Sequence, residues 1–165
     1  MNATDSVKEI AKREDRALAA AFFFNFSRFE YALKRAGFVT GTEHAEVNWT
    51  AFAHAHSDLL TTNQQQRFID ALDYLTKSPP KKQVLANGNL AWSAGSYTGP
   101  FDLDRVLVLV RRIRNNLFHG GKFQSSVEAE LSRDTELLNT GIVVMQACLD
   151  ADHNVNYHFN EGLHW

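Results

Sequence analysis

Arg111, Arg112, Arg114, Asn115, His119 and Lys122 fall within twelve consecutive residues, and no other stretch gathers side chains so well suited to one chemistry. An imidazole titrates near neutral pH, so it can give or take a proton under ordinary conditions. A guanidinium is a permanent cation whose planar fork of donors matches the oxygens of a phosphate or carboxylate. Together they suit phosphoryl chemistry. Cations near a helix C-terminus also stabilise the helix dipole, by about 0.3 to 1 kcal/mol each, and on charge alone that reading accounts for the same residues.

A helix has to present this set. Asp102 can cap it, and Leu103, Val106, Leu107, Val110, Ile113 and Leu117 recur at three- and four-residue steps until Gly120 and Gly121 stop it. At about 100° per residue, Asn115 and His119 share a face, and Arg112 is nearly in line with His119. Arg114 is turned from His119 by about 140°. Joint action therefore requires the arginine side chain to curl around, or a second chain to complete the site.

The remaining elements read as helices. Thr4, Asp5 and Ser6 are competent caps, and Val7, Ile10, Leu18, Phe22, Phe26, Phe29 and Leu33 continue at helical spacing to Gly37, without an internal glycine or proline. Phe22, Phe23, Phe24, Phe26 and Phe29 place aromatics on more than one face of this helix, which points to a contact with a second subunit. Shorter helices are expected over 48–60 and 63–76, stopped by Pro79 and Pro80. Residues 81–100, rich in Gly, Ser and Asn, read as a long irregular loop that covers something. A last long helix is expected from Ser132 or Asp134, followed by a polar tail from about residue 152. The expectation is an all-α fold: a single domain over 1–165, built as an antiparallel bundle of about five helices with one long irregular loop.

Composition narrows the setting. The 165 residues carry 17 Lys and Arg against 19 Asp and Glu, so no overall positive field holds nucleic acid non-specifically, and any polyanion must be bound locally. The one cysteine, Cys148, excludes an internal disulfide and fits a reducing, cytoplasmic setting. The N-terminus has no cationic segment followed by an apolar run, so no secretion signal is expected. The apolar run 17–24 is far shorter than the roughly 20 residues of a membrane span, so no membrane is expected.

The wording of the segment goes further than its charge. Arg114-Asn115-Asn116-Leu117-Phe118-His119 resembles the motif of the HEPN family, the helical domains named for higher eukaryotes and prokaryotes nucleotide-binding: an arginine, usually a polar residue directly after it, and a histidine after four to six intervening residues, here four. The detailed match runs from Leu107 to Lys122, and the late position of the helix and the long first helix are similar too. The resemblance implies a HEPN-like bundle and a metal-independent endoribonuclease whose composite site forms across a homodimer, each chain giving one arginine and one histidine. It assigns catalysis to Arg114, His119 and Asn115 and implies no cofactor and no metal. A ribose 2′-hydroxyl would attack the adjacent phosphate, with His119 moving protons, Arg114 holding the phosphorane charge and Asn115 orienting the phosphate or the imidazole. Arg111, Arg112 and Lys122 would bind RNA phosphates. Such a domain suits a toxin, a phage-defence effector or an RNA-processing enzyme, and an antitoxin protein is a candidate partner. The tyrosine that often follows the histidine by two residues, as the site of AMP modification, is Gly121 here, which puts that form of control in doubt. The alternative is a non-catalytic domain of this type that binds RNA or nucleotide, or serves as an assembly module.

Glu30 of the first helix can support the site or simply pair with Lys34, one turn on. His54 and His56 are two apart on a helix and point in nearly opposite directions, so they do not chelate together; His44 lies farther off. His153, His158 and His164 read as surface or contact residues, and Trp92, Tyr97 and Phe101 as loop packing or base-stacking groups.

Overall fold

The computed structural model describes residues 16–94, 99–118 and 128–161, with the side chains of residues 16 and 128–131 excepted. The elements run α1 (Arg16–Arg35), β1 (Val39–Thr40), β2 (Glu46–Val47), α2 (Trp49–Ala55), α3 (Leu59–Thr62), α4 (Gln66–Lys77), β3 (Lys82–Ala86), β4 (Asn89–Ser93), α5 (Leu103–Phe118), α6 (Glu128–Ala151) and α7 (His153–Asn160). The chain is mainly helical, but the expected all-α bundle of about five helices is overturned. Seven helices and two antiparallel two-stranded hairpins stand among the described residues.

Three segments account for the difference. Residues 81–100 are no irregular loop throughout, because Asn87 (φ 52°) and Gly88 (φ 77°) supply the two left-handed positions of a tight hairpin turn. That turn pairs Leu85 with Leu90, Val84 with Ala91 and Gln83 with Trp92. The expected helix over 48–60 breaks into α2 and α3. The polar tail folds as α7: Asp152 caps it by accepting from the Val155 amide at 2.9 Å. Arg28 of α1 grips its far end, donating to the carbonyls of Phe159 (2.6 Å) and Glu161 (2.7 Å), which leaves fewer helix-end acceptors unsatisfied.

The end of α1 follows the sequence expectation. Gly37 takes φ 97°, its amide donates to Lys34 and the Phe38 amide to Leu33, so a left-handed glycine closes the last carbonyls. Phe38 then packs edge-on against Phe52, ring centroids 5.1 Å apart.

One core joins α1 to the rest. Phe22, Phe26, Phe29 and Leu33 are buried against Trp49 and Phe52 of α2, Val106, Leu107 and Val110 of α5, and Val144, Met145 and Cys148 of α6. Phe23 and Phe24 of α1 stay 39% and 66% exposed. Among the described residues no helix is long and apolar enough to cross a membrane.

Candidate functional site

Helix α5 positions the chemistry by being amphipathic. The Asp102 side chain accepts from the Arg105 amide at 2.9 Å and starts the helix. Leu103, Val106, Leu107, Val110 and Ile113 are buried, which turns Arg111, Asn115 and Phe118 outward and leaves Arg112, Arg114 and Asn116 half-buried. The described helix reaches Phe118; His119 and Lys122, both expected in the site, lie outside the described residues.

The arginines of this helix have different jobs. The Arg114 guanidinium lies 5.7 Å from the ring centroid of Phe26 and 5.2 Å from that of Phe118, and its Nη1 donates to Asn115 Oδ1 at 3.1 Å. Arg111 lies over Trp49 at 5.3 Å. Cation and aromatic faces attract by about 0.5 to 1 kcal/mol at such semi-exposed sites, enough to bias where long side chains rest.

Arg112 is a brace as well as a cation. Its Nη1 donates to the Pro80 carbonyl at 3.1 Å, while Asn116 Nδ2 donates to Lys81 at 2.7 Å and Arg133 Nη2 to Pro79 at 2.7 Å. Three successive carbonyls of the turn leading into β3 are thereby tied to α5 and α6. Burial lowers the pKa of Arg112, and the nearby Arg105 charge lowers it further.

Arg111, Arg114 and Asn115 line a cleft of about 310 Å³ between α5, α1 and the segment around β2. Glu30 and Lys34 reach the same cleft from α1, and Glu46 from β2, above a floor that includes Phe26 and Trp49. The structure thus brings together four sequence-expected residues: Arg111, Arg114, Asn115 and Glu30. Arg112 opens instead on a second cleft, of about 360 Å³, on the β3 side of α5, where Lys82, Gln83 and Asn116 join it and Arg111 and Asn115 line the rim again.

Sequence reasoning missed the aromatic supports Phe26 and Trp49, together with Lys82 and Gln83. The Asn87-Gly88 turn signal could have located the last two. Trp92 sits half-buried on β4, Tyr97 and His164 lie outside the described residues, and Phe101 packs on the core beneath Arg105, 5.3 Å from ring to guanidinium. His44, His54 and His153 are exposed. His56 Nε2 meets Asp152 Oδ2 at 2.9 Å, and the His158 ring meets Glu161 at 3.1 Å. That contact, a hydrogen bond from His158, is the main cause that holds the Glu161 pKa below the usual carboxylate range, with Arg35 adding to it.

The arrangement can hold a phosphodiester: a forked cation on an aromatic bed, a second cation one turn before, an amide beside the first, and two carboxylates among the lining. No family model matches the chain, and neither a curated protein nor a solved structure matches it.

Proposed function

We propose that the chain is a metal-independent endoribonuclease of the HEPN type, acting on a phosphodiester held in the Arg114 cleft. The observation that carries the reading is the placement of Arg114 and Asn115 together in one solvent-open cleft, on the helix whose next residue in sequence after Phe118 is His119. In the proposed step the 2′-hydroxyl attacks phosphorus, the bond to the 5′-oxygen breaks, and a 2′,3′-cyclic phosphate and a 5′-hydroxyl form. His119 accepts the 2′ proton or delivers one to the leaving oxygen, while Arg114 meets the charge on the non-bridging oxygens. A permanent cation and a titrating imidazole supply both needs without a metal.

Exposed Phe23 and Phe24 on α1 fit the proposal that two chains pair, each giving one arginine and one histidine. The one buried cysteine fits a cytoplasmic setting, and a toxin or defence effector restrained by an antitoxin protein is the role that such an activity suits.

The test is cleavage of unstructured RNA in excess EDTA, with end-group analysis. Cyclic phosphate ends are expected, together with loss of about 100-fold or more in rate for Arg114→Ala and for His119→Ala. Solution mass should be twice 18.6 kDa. Cleavage that survives both substitutions overturns the reading; RNA binding without cleavage by the wild type returns the domain to a binding module.

A further inference from the structure

The two clefts beside α5 differ in charge. In the Arg114 cleft, Glu30 and Glu46 stand against Lys34, Arg111 and Arg114. In the cleft on the β3 side, Lys82, Arg111 and Arg112 line the wall with Gln83, Asn115 and Asn116, and among the described residues no carboxylate lines it. Cations and amide donors with no acid among them make an anion site, and a more uniform one than the first.

This wall is also fixed in advance. Arg112 and Asn116 hold the carbonyls of Pro80 and Lys81, so the base of the hairpin cannot drift from α5, and Lys82 is the next residue along. Arg112 spends one of its five donors on that brace. Holding Lys82, Arg111 and Arg112 around one space costs repulsion that a bound anion relieves.

Arg111 and Asn115 line both clefts. They are one turn apart on α5 and form the ridge that both clefts share. The backbone of a single strand can pass from one cleft to the other over this ridge, whereas the paired bases of a duplex stand between its two backbones.

Resting on the reading of the Arg114 cleft as the cleavage site, we infer that the Lys82–Arg112 cleft is a second phosphate subsite. It holds a neighbouring phosphate of the same single-stranded RNA, which crosses α5 over Arg111 and Asn115. Substrates of several nucleotides then outbind a dinucleotide, and β3 sets the length that is read.

The experiment uses 2′-O-methyl oligouridylates, which lack the attacking hydroxyl, labelled and followed by fluorescence anisotropy at several salt concentrations. Lys82→Glu should weaken a five-residue strand about tenfold and leave a dinucleotide within about twofold of wild type. Lys82→Gln should lower the salt slope for the five-residue strand by about one. Lys82 is exposed, so both variants should keep the wild-type thermal midpoint, and the neutral variant guards against a folding effect of the reversed charge. Arg114→Ala should weaken both ligands. If both Lys82 variants bind the longer strand like wild type while Arg114→Ala loses it, the second subsite is overturned and the cleavage site stands. A duplex that binds more tightly than the single strand overturns the subsite as well. If neither ligand binds wild type, the cleavage reading falls and takes the subsite with it.

Discussion

The guanidinium of Arg114 rests 5.7 Å from the centroid of Phe26, so the cation proposed to hold the phosphate is supported by the ring that also stacks on Trp49 at 5.9 Å. Site and core share these two rings. Phe26→Leu removes the aromatic face and keeps an apolar group of roughly similar volume. It should cost under about 1.5 kcal/mol of stability by chemical denaturation. RNA affinity should fall about two- to fivefold, the scale of one lost cation–aromatic contact. Unchanged affinity would show that Arg114 is held by Phe118 and Asn115 alone.

How much of this was legible in the sequence depended on whether the cause was local. The cap at Asp102, the apolar spacing of α5 and the stop at Gly37 are local, and the observed helices follow them. The β3–β4 hairpin was also local, through Asn87 and Gly88, but strands of five residues amid Gly, Ser and Asn read as loop. Docking of α7 was not local at all: Arg28 reaches carbonyls more than 130 residues away. The same divide runs through the site. Arg111, Arg114 and Asn115 were each readable from one short stretch of sequence, whereas Trp49 and Lys82 arrive through tertiary packing.

Gly141 marks a close approach of α6 to α1. A Cβ there would meet Phe22 Cε2 at 2.5 Å, and Phe22 is fully buried, so its ring has no room to yield. Alanine is the better helix former by about 1 kcal/mol, while overpacking costs about 1 to 3 kcal/mol. The clash should win, and Gly141→Ala should lower the thermal midpoint by several degrees. A raised midpoint would mean that the two helices slide apart without cost.

Asp152 does two things with its two oxygens: Oδ1 caps α7 through the Val155 amide, and Oδ2 meets His56 Nε2 at 2.9 Å. Asp152→Ala removes both, about 1 kcal/mol for the cap and about 1 kcal/mol for the hydrogen bond. Asp152→Asn keeps a capping oxygen and should lose less. Amide hydrogen exchange should show α7 opening first in the alanine variant, with RNA cleavage retained, because the Asp152–His56 pair lines neither cleft beside α5.

Cys148 is fully buried in α6, and burial pushes its thiol up to about 12. The thiolate is the nucleophile, so Ellman's reagent at pH 8 should leave the native protein unmodified and titrate one thiol after denaturation. The raised value also sets a pH dependence. In the unfolded chain the thiol ionises near its ordinary value of 9.0, while the folded thiol stays neutral until about 12. Stability from the buried thiol is therefore fully present below the unfolded value and drains away as pH rises toward the folded one. Other groups titrate in that window, so the comparison is with Cys148→Ala. The wild type should be more stable by about 1 kcal/mol at pH 7, by the packing lost with the sulfur. That margin should shrink as pH climbs above 9, and a constant margin up to pH 11 would show that the unfolded thiol is perturbed as strongly as the folded one.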